Sequence, residues 1–214
     1  MKHFYKDIQG WFGAKHLYKA VVKKFGDHSR FLEIGAWKGQ STAFLAVEII
    51  KSKKAIRFDV VDTWQGSEEH IDSMSPAFEP ILKETGTIYP IFEKNLKPVW
   101  DYINPIISTS EDAAKQYENN SLDFIFIDGA HDYDNVIKDL TSWYPKLKLN
   151  GIIAGDDFEW PGVQKALKKF FVKNYIVHND NNTWIHRNTP DASQEEILSG
   201  LFNKRKKFLS WFKR

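Results

Sequence analysis

A chain of 214 residues with 42% hydrophobic side chains can bury one substantial core, so one α/β domain with small additions accounts for it without a second domain. The formal charge of +2 sits mostly at the C-terminus, in Lys204, Arg205, Lys206, Lys207, Lys213 and Arg214, so no nucleic-acid partner is expected. The absence of cysteine excludes disulfides, thiolate catalysis and cysteine-ligated zinc or iron–sulfur centres. With no apolar signal core and no run approaching the roughly 18 residues of a spanning helix, a cytoplasmic protein is expected.

In chain order, Ala14, Leu17, Tyr18, Val21, Val22 and Phe25 recur at helical spacing and predict an amphipathic helix ending near Gly26, placed to cover one face of a sheet. Strands and helices then alternate: strand 30–34, helix 40–51, strand 55–62, a long irregular segment 63–104, strand 105–108, helix 110–117, strand 122–128, helix 133–143, strand 151–155 and helix 161–171. Such alternation predicts an α/β fold with a Rossmann-like, doubly wound parallel sheet. Tyr175-Ile176-Val177-His178 and Thr183-Trp184-Ile185-His186 flank the turn-rich Asn179-Asp180-Asn181-Asn182 and read as an antiparallel hairpin. The expectation is about seven strands, mostly parallel with a C-terminal antiparallel hairpin.

The domain is expected to fill residues 1–190, with a lid-like insertion at about 65–100 whose aromatic residues, among them Trp64, Phe78, Tyr89, Phe92 and Trp100, could stack on a sugar or other ring. Residues 191–214 form a basic amphipathic helix or tail, in which Ile197, Leu201, Phe208 and Phe212 share a stripe that Leu198, Phe202 and Leu209 widen. Such a segment could dock on its own domain, pair with a second copy in a homo-oligomer, lie on an anionic membrane surface or stay unstructured.

Ligands of an open parallel sheet sit at the carboxyl ends of its strands, near the point where the strand order reverses. The first such end carries Glu33-x-Gly35-Ala36-Trp37-Lys38-Gly39-Gln40-Ser41, a buried strand, a glycine-bearing turn and a helix start. Gly35 and Gly39 can take the backbone conformations the turn needs, and Ser41 and Thr42 can help satisfy free N–H groups at the helix start. A dinucleotide-binding turn would want glycine where Trp37 and Gln40 stand, so a pyrophosphate fits poorly. S-adenosylmethionine (SAM) carries no phosphate, and the acid Glu33 suits its cationic amino-acid moiety.

Asp62, followed by Thr63 and Trp64, ends the second strand, where a carboxylate can accept hydrogen bonds from both ribose hydroxyls or cap a turn; Asp59 points to the other face. Ser110, Glu111 and Asp112 open a helix and could cap it, flank an adenine, or both. Asp128, Asp156 and Asp157 follow apolar strands at adjacent ends, and clustered carboxylates raise one another's pKa unless a cation sits among them, which points to Mg²⁺ or Mn²⁺. His131 stands three residues after Asp128 and is a candidate base, Asp132 reads as a helix cap, and His70 is a weaker candidate for substrate contact.

These residues resemble the class I SAM-dependent methyltransferases over about residues 28–187, and within them the metal-dependent O-methyltransferases of the catechol type and the bacterial group of macrocin- and novobiocin-type sugar O-methyltransferases. The resemblance rests on Glu33-x-Gly35-x-x-x-Gly39-x-Ser41, Val60-Val61-Asp62-Thr63-Trp64, the run Ile127-Asp128-Gly129-x-His131-x-Tyr133, Asp139-Leu140-x-x-Trp143-Tyr144-Pro145-x-Leu147 and Gly151-x-Ile153-x-Gly155-Asp156-Asp157. It implies SAM as cofactor, bound through Glu33, Gly35, Ala36, Gly39, Ser41, Asp62, Thr63, Trp64, Ser110, Glu111 and Asp128. It also implies Mg²⁺ at Asp128, Asp156 and Asp157, and a small-molecule or sugar-containing acceptor. The catechol enzymes carry a catalytic lysine where this chain has His131, so His131 and Asp128 both stand as candidate bases. The competing readings are a non-catalytic SAM-fold module that binds a partner and, less favoured by Trp37 and Gln40, a nicotinamide-dependent oxidoreductase.

Overall fold

The apolar runs lie side by side in one seven-stranded sheet in the computed structural model, which describes residues 1–172, 174–178, 182–189 and 201–202. The strands are β1 (Arg30–Ile34), β2 (Arg57–Asp62), β3 (Asn104–Ile107), β4 (Leu122–Ile127), β5 (Leu147–Gly155), β6 (Ile176–His178) and β7 (Thr183–Arg187), in the order β3-β2-β1-β4-β5-β7-β6. The β1, β2, β3, β4 and β5 pairings are parallel, while β7 runs antiparallel to both β5 and β6. The chain order reverses between β1 and β4, so the carboxyl ends of those two strands frame the crevice where such sheets bind ligands.

The central strands read as near-continuous apolar runs because helices cover both faces. One face packs Tyr18, Phe31, Phe44, Phe58, Phe124 and Phe126 under α1 (Lys15–Lys24) and α2 (Gln40–Ser52). The other packs Leu32, Ile125, Leu140, Trp143, Ile153 and Leu167 under α7 (Tyr133–Trp143) and α8 (Pro161–Phe171). Most boundaries fall within two residues of those read from the pattern, with two instructive exceptions. The fifth strand begins at Leu147 rather than 151, because its register against β4 shifts between Leu122 and Phe124 and the strand resumes past an irregularity at Asn150, whose φ is 65°. The helix after β3 stops at Ala114 instead of 117, and the Tyr117 hydroxyl turns inward to donate to Asp59 at 2.9 Å.

The insertion holds three short helices, α3 (Glu68–Ile71), α4 (Pro80–Thr85) and α5 (Tyr89–Leu96), and then a 3-10 turn at Lys97–Tyr102. Its aromatic residues are not all available to a ligand: Trp64 and Phe92 are fully buried with Leu82, Ile88, Leu96 and Val99 in the core of the α1/α2 face, and Tyr89 and Trp100 pack against it. Burying each such side chain contributes about 1.5–3 kcal/mol, which ties the second half of the insertion to the core. The hairpin turn at 179–181 and nearly all of the C-terminal tail lie outside the described residues. Leu201 and Phe202 are the exceptions: Leu201 is buried in the core of the α1/α2 face, and the Phe202 ring lies 5.0 Å from that of His178. Among the described residues no helix is long and apolar enough to cross a membrane.

Candidate active site

The turn after β1 is built by one carboxylate. Asp62, at the end of β2, accepts N–H groups from Ala36 at 2.7 Å and Trp37 at 3.0 Å through one oxygen and from Trp64 at 2.7 Å through the other. Trp37 and Trp64 both hold positive φ, 49° and 53°, and the Trp64 indole donates to the Trp37 carbonyl at 3.0 Å. Trp64 therefore props the turn from behind, and the half-buried Thr63 accepts the Gln65 N–H at 3.3 Å. Gly35 is required by contact as well as by its φ of +83°: a Cβ there would lie 2.0 Å from the carbonyl oxygen of Asp128. Gly39, with φ of +92°, ends the turn against Leu96 and Phe92 of the insertion.

Glu33 is buried beneath the turn. Its carboxylate accepts the Tyr18 hydroxyl at 2.8 Å and that of Thr42, and Ser41 bonds to it as well. These contacts correct the expectation that Ser41 and Thr42 cap α2, which begins after Gly39 with no side-chain cap. Burial pushes the Glu33 carboxyl up, and the hydroxyl donors oppose that rise. Glu33 is thus a buried support under this turn.

Across the switch point stand the acids. Asp128 is half-buried at the end of β4, and desolvation followed by the charges of Asp156, Asp157, Glu33 and Asp62 drives its carboxyl well above the usual range. Asp156 is pushed up to about 6 by burial and then by Asp157, while hydrogen bonds from backbone groups, Gly13 among them, oppose the rise. Asp157 has φ of 61° and turns its carboxylate to His131 Nε2 at 2.8 Å, which raises the His131 pKa. The His131 ring stacks on Trp160 at 5.0 Å between centroids. Asp128, His131, Asp156 and Asp157 line a cavity of about 10 Å³, which is one-water size. Among the described residues no three histidine or acidic side chains stand together as a group that could hold a metal ion.

The remaining candidates divide between ligand-facing and structural positions. Thr109, not Ser110 or Glu111, caps α6 (Ser110–Ala114), and Asp112 pairs with Lys115 at 2.6 Å. The Ser110 hydroxyl donates to the buried Asp139 and accepts Trp143 Nε1–H at 2.8 Å, so it has both a donor and an acceptor partner within the protein. Glu111 is exposed beside it. Asp132 caps α7 by accepting the Asn135 N–H at 3.0 Å. His70 caps α3 by accepting the Ser67 N–H at 3.0 Å on Nδ1, and its ring packs on Trp37 at 4.1 Å.

Two features escaped the reading of the sequence. Lys38, in the turn after β1, is buried in an ion pair with Glu79 of the insertion and donates to Gln9 of the N-terminal segment, tying three stretches together. Asp139 is buried at the edge of the crevice. Asp139 carried a signal in its motif and in its place on the predicted helix 133–143, whereas nothing in the spacing pairs Lys38 with Glu79.

The fold is that of the class I SAM-dependent methyltransferases, and the chain belongs to the family described as a methyltransferase domain, which matches residues 32–158. The O-methyltransferase NovP superposes with a TM-score of 0.63 at 17% identity, over 83% of this chain and 80% of that one. An O-methyltransferase from Bacillus cereus in complex with SAH (S-adenosylhomocysteine) gives a TM-score of 0.55 at 17% identity, over 83% and 80% of the two chains. An uncharacterized protein of Acanthamoeba polyphaga mimivirus is 29% identical over 164 residues, covering 72% of this chain. The chain spans 13% and 65% of the lengths of the two curated relatives it matches.

Proposed function

We propose that the chain is a SAM-dependent O-methyltransferase that acts on a hydroxyl of a small-molecule or sugar-containing acceptor, with Mg²⁺ or Mn²⁺ as its metal. One observation carries the reading: Gly35 of the cofactor turn lies against the backbone of Asp128, so a cofactor held by that turn would lie beside the acid cluster and the His131–Asp157 pair. The backbone N–H groups of Ala36 and Trp37 already serve Asp62, which leaves this turn poorly equipped for the pyrophosphate of a nicotinamide cofactor. The methyltransferase family and the O-methyltransferases of the same fold support the same conclusion.

The chemistry of the donors supports a hard divalent ion, since Asp128 and Asp156, both raised by burial and neighbouring acids, border one small cavity with Asp157. Asp128, Asp156 and Asp157 would hold it, and a bound ion would lower the pKa of an acceptor hydroxyl. His131 directs Nε2–H to Asp157, which orients the ring and leaves Nδ1 as the nitrogen that takes a proton. Asp128 is the competing base. Trp160 stacks on one face of the imidazole and helps fix its orientation.

Calorimetry with SAM, S-adenosylhomocysteine and NAD tests the cofactor: the first two should bind in the micromolar range and NAD should not. Tight NAD binding with no response to SAM would overturn the assignment. Conversion of SAM to S-adenosylhomocysteine, followed with catechols and hydroxylated glycosides as probe acceptors, should need Mg²⁺ or Mn²⁺ and stop in EDTA. Asp128→Ala, Asp156→Ala and Asp157→Ala should each abolish it with SAM binding largely kept. Turnover that persists in EDTA rejects the metal, and nucleoside binding with no conversion of any probe favours a binding module.

A further inference from the structure

The N-terminal segment at 8–13 crosses the crevice from one wall to the other. At the wall formed by the turn after β1, the Gln40 side-chain amide donates to the Ile8 carbonyl at 2.7 Å. Lys38 Nζ, already paired with Glu79, donates there to Gln9 Oε1. A Cβ on Gly10 would lie 3.5 Å from Gln40 Cβ and 3.8 Å from Trp37 Cδ1, so the segment runs directly over the turn. At the opposite wall the Gly13 N–H donates to the Asp156 carboxylate. One short segment thus ties the turn to the acid cluster.

The contacts that hold it are mostly polar. Ile8 anchors the segment in the core of the α1/α2 face, but past it Trp11 is 73% exposed and Phe12 is only half-buried, against Tyr18 and Phe44. Gly10, with φ of +151°, supplies a joint that a side chain would disfavour. Each hydrogen bond contributes modestly once water can replace it, so residues 9–13 can detach while the core stays folded. Beneath them, Asp128, His131, Asp156 and Asp157 border a cavity of about 10 Å³. A pocket for a nucleoside-sized ligand takes about 300 Å³ or more, so the acid end of the crevice is shut in this conformation.

Building on the SAM reading, we propose that residues 9–13 are a gate, latched across the ligand-free crevice by Gln40, Lys38 and Asp156 and released to admit the cofactor. Entry then passes through an opening step, and the association rate is set by how often these ties break as well as by diffusion. Weakening a tie speeds entry, and fixing the segment to the turn slows it.

The chain has no cysteine, and 3.5 Å between a Gly10 Cβ and Gln40 Cβ suits a disulfide, so Gly10→Cys/Gln40→Cys can be latched by oxidation and freed by reductant. In stopped-flow binding of S-adenosylhomocysteine, the oxidised variant should associate at least about 10-fold more slowly than the same variant reduced. Equal rates overturn the gate and leave the methyltransferase reading standing. Gln9→Leu, an exposed position, removes one tie without touching Gly10 or the Lys38–Glu79 pair, and decides the matter where the disulfide does not form. Its association should be about 3-fold or more faster than wild type, because a hydrogen bond from a charged donor is lost from the closed state alone. An unchanged or slower rate overturns the gate as well. A wild-type chain that binds no S-adenosylhomocysteine removes the methyltransferase reading and this inference together.

Discussion

Asp62→Asn should loosen the ligand-free protein as well as weaken cofactor binding. The carboxylate accepts three backbone N–H groups, and two of the residues it holds, Trp37 and Trp64, sit at φ of 49° and 53°. A non-glycine residue in that region costs on the order of 1–3 kcal/mol, so the clamp works against strain in the turn it shapes. Asparagine keeps one acceptor oxygen and presents N–H₂ in place of the other, so whichever way it turns, at least one backbone N–H faces a donor. A hydrogen bond to a charged group contributes about 1.5–3 kcal/mol. Asp62 is half-buried, and water recovers part of that loss, which leaves an expected destabilisation of about 2–3 kcal/mol. With a urea dependence of about 2–3 kcal/mol per molar, the unfolding midpoint of the ligand-free protein should drop by about 1 M. Calorimetry on the same variant should show S-adenosylhomocysteine affinity reduced about 10-fold or more. A carboxylate that served only the ribose would lower the affinity and leave the ligand-free midpoint where it was, and that result would refute the clamp.

Lys38→Met should destabilise by about 3–5 kcal/mol in urea unfolding, because it leaves Glu79 buried without its partner, and the double variant Lys38→Met/Glu79→Leu should recover most of the loss. A double variant no more stable than the single one would show that the pair does not act as a unit. Burial holds the Asp139 carboxyl at about 6 against an ordinary 3.8, so the folded chain keeps a proton there that the unfolded chain releases. Stability should therefore fall as pH rises from about 4 to about 6, and Asp139→Asn should be the more stable protein at pH 7 by up to about 3 kcal/mol. Equal pH dependence of the two proteins in urea unfolding would contradict this. Leu201→Ala should cost about 2 kcal/mol or more in thermal unfolding, since Leu201 is buried in the core of the α1/α2 face, and an unchanged melting temperature would argue against that contact in solution.

The parts of the fold legible in the sequence are those with a local signature. The strands at 30–34 and 122–127 are apolar throughout because both faces are covered, and the helix at 133–143 shows its period plainly. Gly35 and Gly39 were legible because a turn between strand and helix has few solutions. The errors share a cause as well. Hydroxyls at a helix start read as caps, yet Ser41 and Thr42 turn to Glu33, a buried acid that competes for the same donors. An aromatic residue at a strand end reads equally well as a ligand contact or as core, and the Trp64 side chain is buried in the core. The Lys38–Glu79 pair joins residues 41 positions apart, and the Ser110–Asp139 bond spans 29, separations at which no periodicity reports contact.

A common pattern runs through the polar residues of the crevice. Asp62 holds three backbone N–H groups, Glu33 is surrounded by Tyr18, Ser41 and Thr42, Ser110 lies between Asp139 and Trp143, and Asp157 is turned to His131. Each was a candidate ligand contact, and each is already engaged inside the protein. Groups held this way have fixed orientation before any ligand arrives, so little ordering remains to oppose binding. Recognition is then left to polar atoms without a partner among the described residues, His131 Nδ1 among them, and to the backbone of the turn. For the engaged residues, a substitution alters both the shape of the empty site and the ligand affinity, so stability and binding should fall together. For groups that touch no protein partner the two should separate.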